Sequence, residues 1–260
     1  MLLPVADWPD LPSNVRAAFT TRQGGFSTAP YDDGSGNGSG GFNLGLHVGD
    51  QRADVERNRA SLGAQLPSEP AWLNQIHSTT VIDASAVIAT AGAPPDADAS
   101  ISTQSGVVCL VQTADCLPVL FCDTAGSVVG AAHAGWRGLA NGVLENTVLR
   151  MRESQIDKGV GEISAWLGAA IGPSCFEVGE DVFAAFVARD SSLSRAFLPL
   201  AHRPNKYLAD IYTLARALLR EVGVVRVAGG TQCTVTERQR FYSYRRDQIT
   251  GRMASMIWIA

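Results

Sequence analysis

Residues 113–138 read TADCLPVLFCDTAGSVVGAAHAGWRG, and this stretch decides how the chain is read. Two apolar, β-branched-rich runs, LPVLFC and SVVGAAH, flank Asp123-Thr124-Ala125-Gly126, whose residue types favour turns. A tight antiparallel hairpin is expected. With the turn centred between Thr124 and Ala125, Cys116 falls directly opposite His133. Residues so paired hold their Cβ atoms roughly 4.5–5.5 Å apart, close enough for a thiolate and an imidazole to share one ion. A slip of one residue would send the two to opposite faces.

Working outward, GVVCLVQT reads as a further strand before the hairpin. After it, apolar residues at Leu139, Val143, Leu144, Thr147 and Met151 predict a single helix over Gly138–Arg152. ISAWLGAAIG predicts a strand and DVFAAFVA a helix. Asp210 is placed to cap the helix IYTLARALLREVG, and VRVAGG and MASMIWIA end the chain as strands. Upstream, Asp54–Leu62 predicts a short helix, and Trp72–Ile76 with Val81–Ile82 predicts a strand or strand end around His77. Mixed strands and helices without strict βαβ alternation indicate an α+β or layered α/β architecture. No repeat or linker divides residues 1–260, so a single domain is expected. The stretch Tyr31–Gly41, YDDGSGNGSGG, is expected to form a flexible Gly/Ser loop.

Composition narrows the function classes. The 260 residues are 46% hydrophobic and 18% charged, with a net charge of −4. An acidic chain without a basic stripe argues against nucleic acid. No apolar run reaches a membrane-spanning length, and MLLPVADWPDLPSNV lacks the basic start of a signal peptide. The expectation is a cytoplasmic monomer acting on a small molecule. Five cysteines without a CxxC pair predict reduced thiols rather than a disulfide framework. Neither GxGxxG nor GxxxxGK[ST] occurs, so dinucleotide and P-loop readings lack support.

His77 is a candidate third ligand to the Cys116–His133 pair. Two imidazoles and a thiolate suit zinc or copper, and three protein ligands leave a coordination position open. The same proximity also fits a Cys–His nucleophile pair without metal. Cys109 and Cys122 read as small core residues. The glycines of AGWRG would let an anion approach a helix start, with Arg137 as a clamp or as a plain surface arginine. FYSYRRDQITGR sets Arg245, Arg246 and Arg252 beside two tyrosines, which fits an anion or aromatic-substrate contact as well as a solvated turn. IGPSCFEVGEDVF places Cys175 in a loop, at the rim of the site or in an ordinary turn.

In order, TRQGGFS, FNLGLHVGD, NQIH, TADCLPVLF, HAGWRG, IGPSCFEVG and FYSYRRDQITGR resemble the motifs of the laccase-domain family. That family has also been called multicopper polyphenol oxidase, peptidoglycan editing factor and purine nucleoside phosphorylase. The motifs run from Thr20 to Arg252. The resemblance implies a layered α/β/β/α fold with mixed sheets and one metal, usually zinc with copper as the alternative, on His77, Cys116 and His133. It implies phosphorolysis of adenosine, inosine and methylthioadenosine, with adenosine deamination as a second activity. On it rest a catalytic role for Asp115, Cys116 and Arg137, and substrate or phosphate binding by Asn43, Gln75, Gly135, Arg137 and Arg245. Copper-dependent phenol oxidation, hydrolytic editing of a peptidoglycan precursor and a non-catalytic metal-binding module are the alternatives. NQIHST stands where the family commonly has NQVHG, and the tract Gly34–Gly41 looks inserted ahead of its NLG motif.

Overall fold

Every residue of Leu117–Asp123 and of Val129–Ala134 is buried. Strands buried along their whole length need cover on both faces, and the rest of the fold supplies it. The computed structural model describes residues 3–90, 92–154 and 161–260. The chain begins with β1 (Val15–Phe19), β2 (Gln23–Ser27) and α1 (Arg52–Gly63), then β3 (Val81–Asp83), α2 (Ala84–Ala89) and β4 (Ala99–Ser102). Its centre holds β5 (Cys109–Thr113), β6 (Leu117–Asp123), β7 (Val129–Ala134), α3 (Trp136–Asn141) and α4 (Val143–Glu153). Next come β8 (Ile163–Leu167), β9 (Glu177–Gly179), α5 (Glu180–Val187), β10 (Phe197–Pro199) and β11 (Lys206–Ala209). The chain closes with α6 (Ile211–Glu221), β12 (Arg226–Gly229), α7 (Tyr244–Asp247) and β13 (Met253–Ile259).

The strand period of two sorts side chains between layers. In the six-stranded mixed sheet, ordered β12-β8-β6-β7-β4-β3, Leu117, Val119 and Phe121 face Val148 and Met151 of α4 and Leu214 and Leu218 of α6. Leu120, Cys122, Val129 and Ala131 face the other way. There they meet Val15, Val111 and Ile257 of a second, antiparallel sheet ordered β1-β13-β5. Phe19 and Trp166 stack across this interface with ring centroids 5.7 Å apart. The outer face of the second sheet, through Leu110, Ala254 and Met256, packs on Leu62 of α1 together with Phe42, Leu44 and Trp72. Helix, sheet, sheet, helix is the expected α+β layering in one domain. A small sheet, β10-β11-β9, flanks it.

Three local expectations are corrected. The helix over Gly138–Arg152 is two helices, because Gly142 takes φ 102° and ends α3 before α4 begins. The hairpin pairs Pro118, not Cys116, with His133. Asp123 holds the Ser127 and Val128 N–H groups at 2.6 and 3.1 Å and widens the turn. His77 lies in a loop rather than at a strand end, and isolated bridges at Ala71 and Asn74 stand where a strand was expected before it. The Gly/Ser loop is anchored at both ends: Arg22 pairs with Asp32 at 2.8 Å, and the Gly25 N–H donates to the Gly40 carbonyl at 2.9 Å.

The expected cap is present. Asp210 accepts from the Tyr212 and Thr213 N–H groups, each at 3.0 Å. Asp210→Ala orphans both donors and should lower stability by about 1 kcal/mol, read as a lower urea midpoint at unchanged slope.

Candidate metal centre

Cys116 and His133 reach one site although they are not directly opposite. Continuing the β6–β7 register sets Cys116 across from Gly135, two residues beyond His133. A displacement of two residues keeps both side chains on one face, and diagonal neighbours remain within reach. That face looks towards the second sheet, so the pair sits at the end of the inter-sheet layer. His77 enters from its loop in a left-handed conformation, φ 61°. Its Nε2 lies 3.7 Å from Cys116 Sγ, and its ring meets His133 edge-on with centroids 4.8 Å apart. The three donor atoms lie within 4.8 Å of one another, and among the described residues no other such group of His, Cys, Asp or Glu occurs.

Asp98, which sequence reasoning missed, organises two of the three. The β4–β7 register places Asp98 beside His133. Its fully buried carboxylate accepts from His133 Nδ1 at 2.8 Å and from the His77 N–H at 3.0 Å. It also accepts from the Ile76 N–H at 3.2 Å and from the Ser78 N–H and hydroxyl at 2.6 and 2.8 Å. Nδ1 thus carries the proton and Nε2 is left for the site, the arrangement that orients metal-binding histidines. Burial would push the Asp98 carboxyl up, but the His133 and Ser78 hydrogen bonds bring it below the usual range.

Burial likewise opposes charge on Cys116, yet the His133 and His77 imidazoles outweigh it and bring the thiol down to about 6. Burial lowers His133, and the Cys116 and Asp98 charges raise it above the ordinary imidazole range. Cys109 and Cys122 are pushed up by burial to about 12 and about 11. In metal-free protein, iodoacetamide should therefore alkylate Cys116 at neutral pH, where its thiolate prevails. The rate should fall as pH drops through about 6 while Cys109 and Cys122 stay unmodified. Peptide mass spectrometry across that range checks this, and equal labelling of all three would refute it.

The donors open into a cavity of about 460 Å³ whose walls include His47, Leu73, Gln75, Gln112, Tyr244 and Arg252. Burial, then Arg252 and Arg59, hold His47 below the usual imidazole range. Tyr244 is 53% exposed at the cavity wall. Gln112 is 7% exposed, and its Oε1 is buried without a hydrogen-bond partner.

The other residues singled out from sequence fall into place unevenly. Gln75 lines the cavity, but its amide is engaged by the Gln112 backbone, donating to O at 2.8 Å and accepting from N at 2.7 Å. Asn43 is buried behind the wall and accepts from the Arg252 N–H at 2.8 Å. Gly135 caps α3 hard against the donors. Arg137 is exposed, lies over the Trp136 ring at 4.3 Å and is not among the cavity residues. Asp115, at φ 87°, accepts from the Thr234 hydroxyl at 2.5 Å and the Arg245 N–H at 2.6 Å. The Arg245 guanidinium donates to the Glu177 carbonyl at 3.0 Å. Of the C-terminal motif, Tyr244 and Arg252 reach the cavity.

Residues 16–260 match the family described as multi-copper polyphenol oxidoreductase laccase. The chain is 50% identical over 259 residues to the purine nucleoside phosphorylase YfiH of Escherichia coli, covering 99% of this chain and 98% of that protein. It is 49% identical over 255 residues to a purine nucleoside phosphorylase of Pseudomonas aeruginosa, covering 97% and 96%. A crystal structure of a Neisseria meningitidis protein of the DUF152 family superposes with a TM-score of 0.88 at 49% identity, covering 99% and 98%. YlmD from Geobacillus stearothermophilus does so with a TM-score of 0.80 at 29% identity, covering 96% and 93%.

Proposed function

This chain belongs to the family described as multi-copper polyphenol oxidoreductase laccase, and from that premise we propose that it is a metal-dependent purine nucleoside phosphorylase. The observation that carries the reading is a three-donor cluster opening into a cavity that also holds Arg252 and Tyr244. The curated relatives bear the name of that activity.

His77, Cys116 and His133 would hold the ion. The residues fit one: two imidazoles and a thiolate match zinc, Asp98 presents Nε2 of His133, and Gly135 lacks the Cβ that would press on two donors. Zinc bound there would supply a Lewis acid with an exchangeable coordination position. The chain's own groups would do the rest. Arg252 offers its guanidinium to phosphate, His47 adds a neutral hydrogen-bonding ring, and Tyr244 presents a face for the purine. The buried, unpartnered Gln112 Oε1 is a polar atom that a base can satisfy. In the reaction a phosphate oxygen bonds to C1′ of the ribose and the C1′–N9 bond breaks. The base leaves with that electron pair and takes a proton. Asp115 is assigned a positioning role, since its carboxylate is occupied by Thr234 and Arg245. Phosphate falls to Arg252 rather than Arg137. Adenosine, inosine and methylthioadenosine are the substrates of this reading, with adenosine deamination as a second activity.

Phosphate-dependent release of adenine from adenosine tests it; absent or phosphate-independent turnover sinks it. The family description and a donor set that also suits copper favour one other reading, oxidation of phenols. Metal analysis of protein purified without added copper, followed by a phenol assay, separates the two.

A further inference from the structure

Two thiols outside the metal centre meet at one bend. After β8 the chain turns at Gly172, whose carbonyl accepts from the Cys175 and Phe176 N–H groups at 3.0 and 3.1 Å. Cys233 lies against this bend and bridges to Ala170 just before it. The Gly172 N–H donates to Cys233 Sγ at 3.3 Å, and a Cβ on Gly172 would stand 3.1 Å from that sulfur. Both cysteines are partly exposed and both are held to Gly172, Cys175 through its N–H and Cys233 through its sulfur.

The two sulfurs are not equivalent. Burial pushes the Cys233 thiol up, but hydrogen bonds from the Thr236 hydroxyl and the Thr236, Gly172 and Val235 N–H groups bring it below the ordinary range. Burial, and then the neighbouring Cys233, hold Cys175 up. One sulfur receives the Gly172 N–H, and the other belongs to a residue held on the same bend. A low-pKa, accessible cysteine next to a second one is the pattern of a peroxide-reactive pair.

We propose that Cys233 and Cys175 form a reversible redox site that reacts with hydrogen peroxide. The Cys233 thiolate attacks a peroxide oxygen, the O–O bond breaks, and hydroxide leaves to be protonated to water. Cys233 is then a sulfenic acid. The Cys175 sulfur attacks the Cys233 sulfur, an S–S bond forms, and the sulfenic oxygen departs with the remaining proton as a second water. Two thiols lose two electrons, and one peroxide becomes two waters. Thiol reductants reverse the bond by exchange.

The pair is joined to the metal centre through Asp115. The Ile171 N–H, one residue before the bend, donates to the Asp115 carbonyl at 2.9 Å. Thr234, one residue after Cys233, donates to its carboxylate at 2.5 Å. A disulfide would fasten together the two segments that grip the residue preceding Cys116.

The test treats the metal-loaded protein with hydrogen peroxide and maps its thiols by peptide mass spectrometry. The expected product links the Cys175 and Cys233 peptides with loss of two hydrogens and is reversed by dithiothreitol. Cys233 should be consumed at least about 10-fold faster than buried Cys109 or Cys122. Cys175→Ser should leave Cys233 as a sulfenic acid captured by dimedone, while Cys233→Ser leaves Cys175 a free thiol at the same dose. Alanine variants repeat the assignment if serine disturbs the bend. Wild-type protein that stays unlinked, or dimedone capture at Cys175 in Cys233→Ser, overturns the proposal. So does oxidation of Cys116 ahead of the pair.

Discussion

Cys116→Ala should lower phosphate-dependent adenine release by about 10³-fold and leave the purified protein nearly free of zinc. The thiolate is the one sulfur donor of the cluster, and among the described residues no further Cys, Asp or Glu belongs to it. Loss of a Lewis acid removes several kcal/mol of charge stabilisation, and each 1.36 kcal/mol is tenfold in rate. The fold should survive, because Cys116 precedes β6 and packs against the donors rather than inside a core cluster. Chelation of the wild type should reproduce the loss, and added zinc should reverse it there but not in the variant. Zinc content, initial rates with and without phosphate, and a thermal melt decide the matter. A variant that retained both zinc and phosphorolysis would remove Cys116 from the site.

Gly135→Ala should weaken zinc binding by about 10²-fold with a much smaller change in stability. A Cβ built on Gly135 would stand 2.5 Å from Cδ2 and 3.0 Å from Nε2 of His77, and 3.1 Å from Cys116 Sγ. The tightest of these contacts is with the His77 ring. His77 is exposed, so its ring can give way, and a ring that yields leaves its donor position. Disturbing the atoms that orient metal ligands usually weakens affinity 10- to 100-fold, and the full displacement of one donor belongs at the upper end. Overpacking in a rigid core would instead destabilise by about 1–3 kcal/mol. Competition against a chromophoric chelator, beside a thermal melt, separates these outcomes. Unchanged affinity would show that the cradle has slack.

Strands β5 to β8, β12 and β13 and the Asp210 cap were legible because they rest on local rules, period and residue type, whereas short strands such as β9, β10 and β11 carry too few residues to show a period. Cys116 and His133 were paired for a reason that survived an incorrect register, since the true pairing differs by two residues and preserves the face. The turn itself was misjudged because Asp123 reaches forward to Ser127 and Val128, a side-chain choice that residue types do not reveal. Asp98 was invisible for a different reason. In DADAS it looks like a solvated turn acid, and it becomes the partner of His133 only once β4 pairs with β7. Gln75 and Arg137 show the converse: their residue types suit a ligand, but the fold ties the Gln75 amide to the Gln112 backbone and lays Arg137 over Trp136 outside the cavity walls. From its residue type His77 is one candidate donor, and the resemblance selects it, because its loop carries no periodic signal.

Asp98 has one consequence beyond orientation. By gripping the His133 ring and the backbone from Ile76 to Ser78 together, it assembles two donors from distant parts of the chain as the layers close. The entropy of bringing them together is lost during folding, before any ion arrives. Binding energy is then free to appear as affinity, the hallmark of a preorganised receptor.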